Sequence, residues 1–423
     1  MIRWRHVFFI EGYDPQGASG YYDLFASSWP RSRKIWHFEG KLGELVLDSE
    51  WIAHWDIEAV GPNWQVNTRY EFLRLESVIR SNLAKPMWRQ ILRALAVALG
   101  DCANGTMIRM FRAAWRFGLQ LLVIQVLMLL WLLLPPAAGV VAALMAEQLV
   151  ASGLVAGAVG IGLAILGYVL LWRLAERWYV VRINNYMPYL REFASGGASG
   201  FDEPIDVCAA RVVAAARDGS ADEIVVVGHS TGGVFAPAVI ARALELDPDV
   251  GRRGPRLLLL TLGSLLPAAA LHPGAHRMRD LIARLATEPS LVWIDCVSRK
   301  DVLNFWDFDP VSCIGRDLGA RRCNPLAWTV RFKDLVSPEY YRRVRWRFLR
   351  MHFQFIISGD RRAAYDYVML VVGPATIPER AAHPEAVAAA FAGDGAFLPA
   401  SLIGSSASAG AVLGGASLEA TRI

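Results

Sequence analysis

Two long stretches without a single charge limit what this chain can become. Residues 117–134 (FGLQLLVIQVLMLLWLLL) and residues 149–172 contain no Asp, Glu, Lys or Arg. At about 1.5 Å per helical residue, each is long enough to cross the hydrocarbon core of a bilayer. In hydrocarbon only a helix or a closed barrel satisfies its own backbone, so each stretch is expected to be a helix. Pro135-Pro136 is expected to end the first, and residues 117–182 then form a transmembrane hairpin. The second carries Gly153 and Gly157, with Ala158 and Gly162 at the same spacing, small residues that let helices approach and associate. Arg109, Arg112 and Arg116 precede the pair and Arg173, Arg177 and Arg182 follow it, whereas the connection 135–148 carries only Glu147. That asymmetry predicts a two-span membrane protein with both flanks in the cytoplasm. Five scattered cysteines without C-x-x-C or Cys/His ligand spacing fit the same reducing side, and no metal or cofactor is expected. Spans without internal charge offer no ion path, which argues against a transporter. A net charge of +5 without a recognisable basic module argues against nucleic acid as a partner.

What lies outside the hairpin reads as alternating strands and helices. Residues 6–10 (HVFFI) form an apolar strand running into Glu11-Gly12-Tyr13, and residues 51–60 form a further strand. Residues 68–83 read as a helix, with Phe72, Leu75, Val78 and Ile79 on its apolar side, and 87–99 as an amphipathic helix. After the small, polar joint 195–200 come a helix over 205–216 and strands over 256–262, 290–297 and 327–332. Residues 340–350 (YYRRVRWRFLR) interleave arginine with aromatics and suit either an ordinary amphipathic element or an anionic lipid surface. The Ala/Gly/Ser-rich tail from Ala400 has little to bury and is expected to be disordered.

The most informative stretch is 222–239, DEIVVVGHSTGGVFAPAV. Ile224 to Val227 is a continuous apolar, β-branched run suited to a strand buried on both faces. It enters Gly228-His229-Ser230-Thr231-Gly232, an instance of G-x-S-x-G, and an Ala-rich helical segment follows. This strand, turn and helix resembles the nucleophile elbow of the α/β-hydrolase family, most closely its lipase and esterase branch. The Thr261-Leu262-Gly263-Ser264 turn after the next strand is similar to lipases of that family. The resemblance covers residues 1–83 and 195–373. It implies an α/β fold, hydrolase-like, with a mostly parallel sheet and helices on both faces, interrupted by the hairpin. The domains expected are 1–86 (first part of the hydrolase domain), 87–116 (juxtamembrane helices), 117–182 (hairpin), 195–373 (second part) and 374–423 (C-terminal segment).

A serine hydroxyl needs a base, and the base an orienting acid. The family's chain order is Ser, acid, His, which implies Ser230 as nucleophile, Asp301 as acid and His352 as base, with Asp295 and His383 as alternates. The oxyanion hole would use the backbone N–H of Thr231 and of Gly12 or Tyr13. Where the family often has His-Gly in that loop, this chain has Glu11-Gly12. The implied activity is ester hydrolysis at a membrane through an acyl-enzyme, on an acyl-ester or lipid-like substrate. Two other readings remain: an acyltransferase using the same triad, and a non-catalytic membrane scaffold that retains the fold.

Overall fold

The computed structural model describes residues 1–150, 152–177, 180–197, 199–315 and 317–399, so the tail from Ala400 lies outside the described residues. Among those described, nine strands form one sheet: β1 (Trp4–Ile10), β2 (Glu39–Leu42), β3 (Val46–Leu47), β4 (Ile52–Gly61), β5 (Trp64–Leu73), β6 (Glu223–His229), β7 (Arg256–Leu262), β8 (Leu291–Val297) and β9 (Leu326–Thr329). Their order is β2-β4-β5-β1-β6-β7-β8-β9, with β3 also paired to β4. From β5 to β9 all neighbours are parallel, and β4 adds an antiparallel edge that carries β2 and β3.

Every residue of β6 is buried, as are most of β1 and β7, because helices cover both faces. Val7 and Phe9 of β1 and Val225 and Val227 of β6 share a core with Tyr21 and Phe25 of α1 (Gly17–Trp36) and with the helix Tyr367–Val372. The intervening residues Phe8, Ile10, Ile224 and Val226 are equally buried and by strand alternation face the other side.

Residues 68–83 are not one helix. Residues 68–73 belong to β5, and the helix α2 (Glu76–Leu83) begins only after them, carrying Val78 and Ile79. The turn after Gly61 folds β5 back onto β4, in register from Gly61 opposite Trp64 to Ile52 opposite Leu73. Thr68, Tyr70 and Phe72 are then buried at period two, and this pairing overrides the helical spacing that Phe72 shares with Leu75 and Ile79. The last strand is likewise shorter than 327–332, because Phe332 opens a short helix and buries its ring there.

The chain divides into two compact units. The first comprises Met1–Arg80, Gly200–Ala270 and the chain from Arg277, and holds the sheet. It extends past residue 373, since Ile377, Val387, Phe391 and Phe397 join its core. The second comprises Ser81–Ser199 and Leu271–His276. Its helices are α3 (Met87–Ala103), α4 (Thr106–Ala113), α5 (Trp115–Val150), α6 (Gly153–Arg177) and α7 (Val180–Ser195). Back in the first unit, α8 (Asp202–Asp218) contains the helix expected over 205–216, and α9 (Gly232–Leu246) follows β6.

Among the described residues two helices are long and apolar enough to cross a membrane, α5 and residues 153–174 of α6, each with a mean hydropathy of 2.4. Taken as one span broken by a 76° bend, α3 and α4 would make a third. Pro135-Pro136 does not end the first apolar helix; α5 runs through it, and the connection expected at 135–148 is helical. Proline at 136 removes the N–H that would bond the carbonyl four residues earlier. That carbonyl, Leu132 O, instead accepts a 2.9 Å hydrogen bond from the Tyr168 hydroxyl of α6. The helices approach closely where a Cβ on Gly139 or on Gly160 would lie 2.6 Å from the other's carbonyl oxygen. Gly153 and Gly157, expected to mediate helix association, have open space around them and take no part in this packing.

Candidate active site

β1 is first in the chain yet sits in the interior of the sheet. From it the chain builds β2 to β5 on one side and β6 to β9 on the other, so β1 and β6 flank the point where strand order reverses. Loops leaving the carboxyl ends of two such parallel strands diverge and leave a crevice. Ile10 lies opposite Gly228 in that pair, which brings the Glu11-Gly12 turn beside Ser230. A Cβ added to Gly12 would lie 3.2 Å from Ser230 Cβ and 3.6 Å from its Oγ.

Ser230 has φ of 58°, one of three non-glycine residues with positive φ among those described. Such a conformation is strained for serine and persists only where surrounding bonds hold it. Its N–H donates to Leu262 O at 3.0 Å, and its carbonyl accepts from Gly233 N and Leu265 N, each at 3.1 Å. Gly232 is obligatory for close passage beneath β1, because a Cβ there would lie 2.1 Å from Ile10 O. Thr231 is the N-cap of α9, whose positive end lies at the serine.

Asp301 is buried four residues beyond β8. Its Oδ1 accepts from Leu303 N at 2.9 Å, and its Oδ2 lies 2.7 Å from Nδ1 of His352, also buried. The carboxylate favours the tautomer with the proton on Nδ1, which leaves Nε2 with its lone pair. Nε2 is buried and has no hydrogen-bond partner among the described residues, Ser230 included. His352 ends the short helix Phe348–His352, and Met351 before it is buried in the core.

Each alternate has another partner. Asp295, within β8, accepts from the Thr261 hydroxyl at 2.5 Å, and burial raises its pKa to about 6. His383 follows the helix Ile377–Ala382 and lies 3.9 Å from Glu385. The Gly12 N–H donates to the Tyr21 hydroxyl at 3.4 Å, and Tyr13 is the next residue along that turn.

Two neighbours carry chemistry that sequence reasoning passed over. His229 packs its ring on His352, with centroids 4.7 Å apart, and its Nε2 lies 3.4 Å from His352 O. Burial, with His352 beside it, holds its pKa well below the usual histidine range, so it remains neutral. Glu11 is buried, and its Oε1 accepts from Leu75 N at 2.9 Å. Burial first, then the nearby Glu76, pushes its pKa well up. The departure from His-Gly at this loop was the available signal for Glu11, and the adjacency of the His229 ring to His352 was not visible along the chain.

Among the described residues no group of three or more His, Cys, Asp and Glu could hold a metal ion. Compared with protein-family models, with curated proteins and with solved structures, the chain matches none.

Proposed function

We propose that the chain is a membrane-anchored serine hydrolase that cleaves an ester through an acyl-enzyme. The observation that carries the reading is the buried 2.7 Å contact between Asp301 and His352, in the unit that holds Ser230 at positive φ. In this reading Ser230 Oγ attacks the ester carbonyl while His352 Nε2 takes its proton. The carbonyl oxygen becomes an oxyanion, received by the backbone N–H of Thr231 and of the Gly12-Tyr13 turn. Collapse breaks the ester bond, and His352 returns the proton to the departing alcohol. Water then attacks the acyl-enzyme with the same base, releasing the acid and restoring Ser230. Asp301 holds the imidazole in the tautomer that accepts at Nε2 and offsets the charge of the imidazolium.

The order of strands supports the hydrolase-like form of the fold: the turn after β1 and the serine after β6 leave adjacent parallel strands. Two apolar helices support anchoring in a bilayer, and the flanking arginines support a cytoplasmic catalytic unit. A fluorophosphonate probe tests the reading directly. Detergent-purified protein should be labelled on Ser230, and Ser230→Ala should abolish labelling while remaining folded. Full labelling of that variant would sink the proposal.

A further inference from the structure

The segment 338–350 carries five arginines and one acid, a local charge of +4 in a chain whose total is +5. It folds as the helix Pro338–Val344, a turn, and the start of the helix Phe348–His352. Val344 and Met351 are buried and fix it to the core, so its outer surface is held in place. On that surface Arg342, Arg343, Arg345 and Arg347 are exposed. Between them stand Trp346, 66% exposed, and Phe348, 50% exposed. Arg345 lies over the Trp346 ring at 5.5 Å and Lys300 lies over it at 4.8 Å. Arg343 lies over Tyr340 at 5.2 Å. The acid of the segment, Glu339, reaches Arg342 at 3.5 Å.

An ordinary solvated face mixes charges and shields large aromatics; this one concentrates positive charge around two exposed rings. Tryptophan and phenylalanine enter the headgroup region of a bilayer, and arginine pairs with phosphate there. We propose that residues 338–350 form a docking surface for an anionic lipid membrane. The arginines meet lipid phosphates, and Trp346 and Phe348 insert beside them. The two apolar helices of the same chain support a bilayer as the occupant. Docking of this kind does not depend on catalysis. If Ser230 is the nucleophile, it also bears on the base, because one five-residue helix begins at Phe348 and ends at His352.

Hydrogen exchange on the full chain in lipid nanodiscs tests it. Discs of phosphatidylcholine are compared with discs containing roughly a third phosphatidylglycerol. Amides of residues 339–350 should exchange at least ~5-fold more slowly in the anionic discs, the factor expected for a single basic residue at such a surface. The slowing should disappear at ~1 M NaCl, where charges are screened beyond ~3 Å. It should also disappear in Arg342→Gln/Arg343→Gln/Arg345→Gln/Arg347→Gln, with exchange in β6 unchanged as the control for folding. Equal exchange of the wild-type segment in both discs would overturn the proposal, whatever the variant does. So would equal slowing by soluble glycerophosphoglycerol in phosphatidylcholine discs, which would mark a free-anion site. Slowing by polyglutamate but not by anionic lipid would overturn it as well, reassigning the surface to an acidic protein.

Discussion

Asp301 and His352 are separated by 51 positions in sequence and meet at 2.7 Å, so each can be tested through the other. If His352 is the base, His352→Ala should lower kcat by about 10²–10⁴ with KM little changed. Asp301→Asn should lose up to about 10⁴, because it favours the wrong tautomer. His383→Ala should retain activity. Steady-state kinetics on a soluble ester checks all three, and an active His352→Ala beside an inactive His383→Ala would reassign the base. Asp295 answers a different question. Its pKa of about 6 exceeds the ordinary aspartate value, so the folded state binds the proton more tightly than the unfolded chain. Stability should therefore fall as pH rises from about 4 to about 6, by roughly 3 kcal/mol from this group, and then level. Asp295→Asn should flatten that decline in thermal melts while changing kcat less than about 3-fold. The contact of Asp301 with His352 was legible, because the expected order of serine, acid and histidine along the chain selected those two residues. Glu11 and His229 were not, since burial and ring contact give them their character and neither is written locally.

Among the elements, β1 and β6 are joined by more than their ladder. Arg5 lies opposite Glu223 and makes five hydrogen bonds: two to Glu223 and one each to the carbonyls of Val371, Gly373 and Ala375. All of this is buried, and burial raises the Glu223 pKa despite the guanidinium. Breaking such a pair on one side costs about 3–5 kcal/mol. Arg5→Met should lose that much in thermal or denaturant unfolding, and Arg5→Lys should not restore it, because an ammonium cannot replace the guanidinium fork across all these acceptors. The interior strands were legible because continuous apolar runs mark strands buried on both faces. The β4–β5 hairpin was not: Phe72 and Leu75 fit a helical stripe, and only pairing across the turn after Gly61 decides for a strand. The Arg5–Glu223 pair was equally hidden, as its partners lie 218 positions apart.

Orientation in a bilayer is a property of the entire chain. The turn between α5 and α6 falls near Ser152, so a cysteine there should react with an impermeant thiol reagent from outside intact cells. Cys323 is exposed on the unit that holds the sheet and should react only after permeabilisation, which makes it a better reporter than the buried Cys296 and Cys313. The reverse pattern would invert the orientation. The apolar stretches were legible from their lack of charge, but the passage of α5 through Pro135-Pro136 was not, because Tyr168 lies on another helix. That bond also sets a timetable. The Leu132 carbonyl freed by Pro136 has no internal helical donor, and an unsatisfied group in hydrocarbon costs several kcal/mol. Its donor is synthesised 36 residues later, a delay of about 2–7 s at ordinary ribosomal speed. For those seconds the first helix is poorly suited to lipid by itself, so the pair should leave the insertion channel together. Tyr168→Phe should prolong crosslinking of α5 to the channel in nascent chains arrested beyond α6.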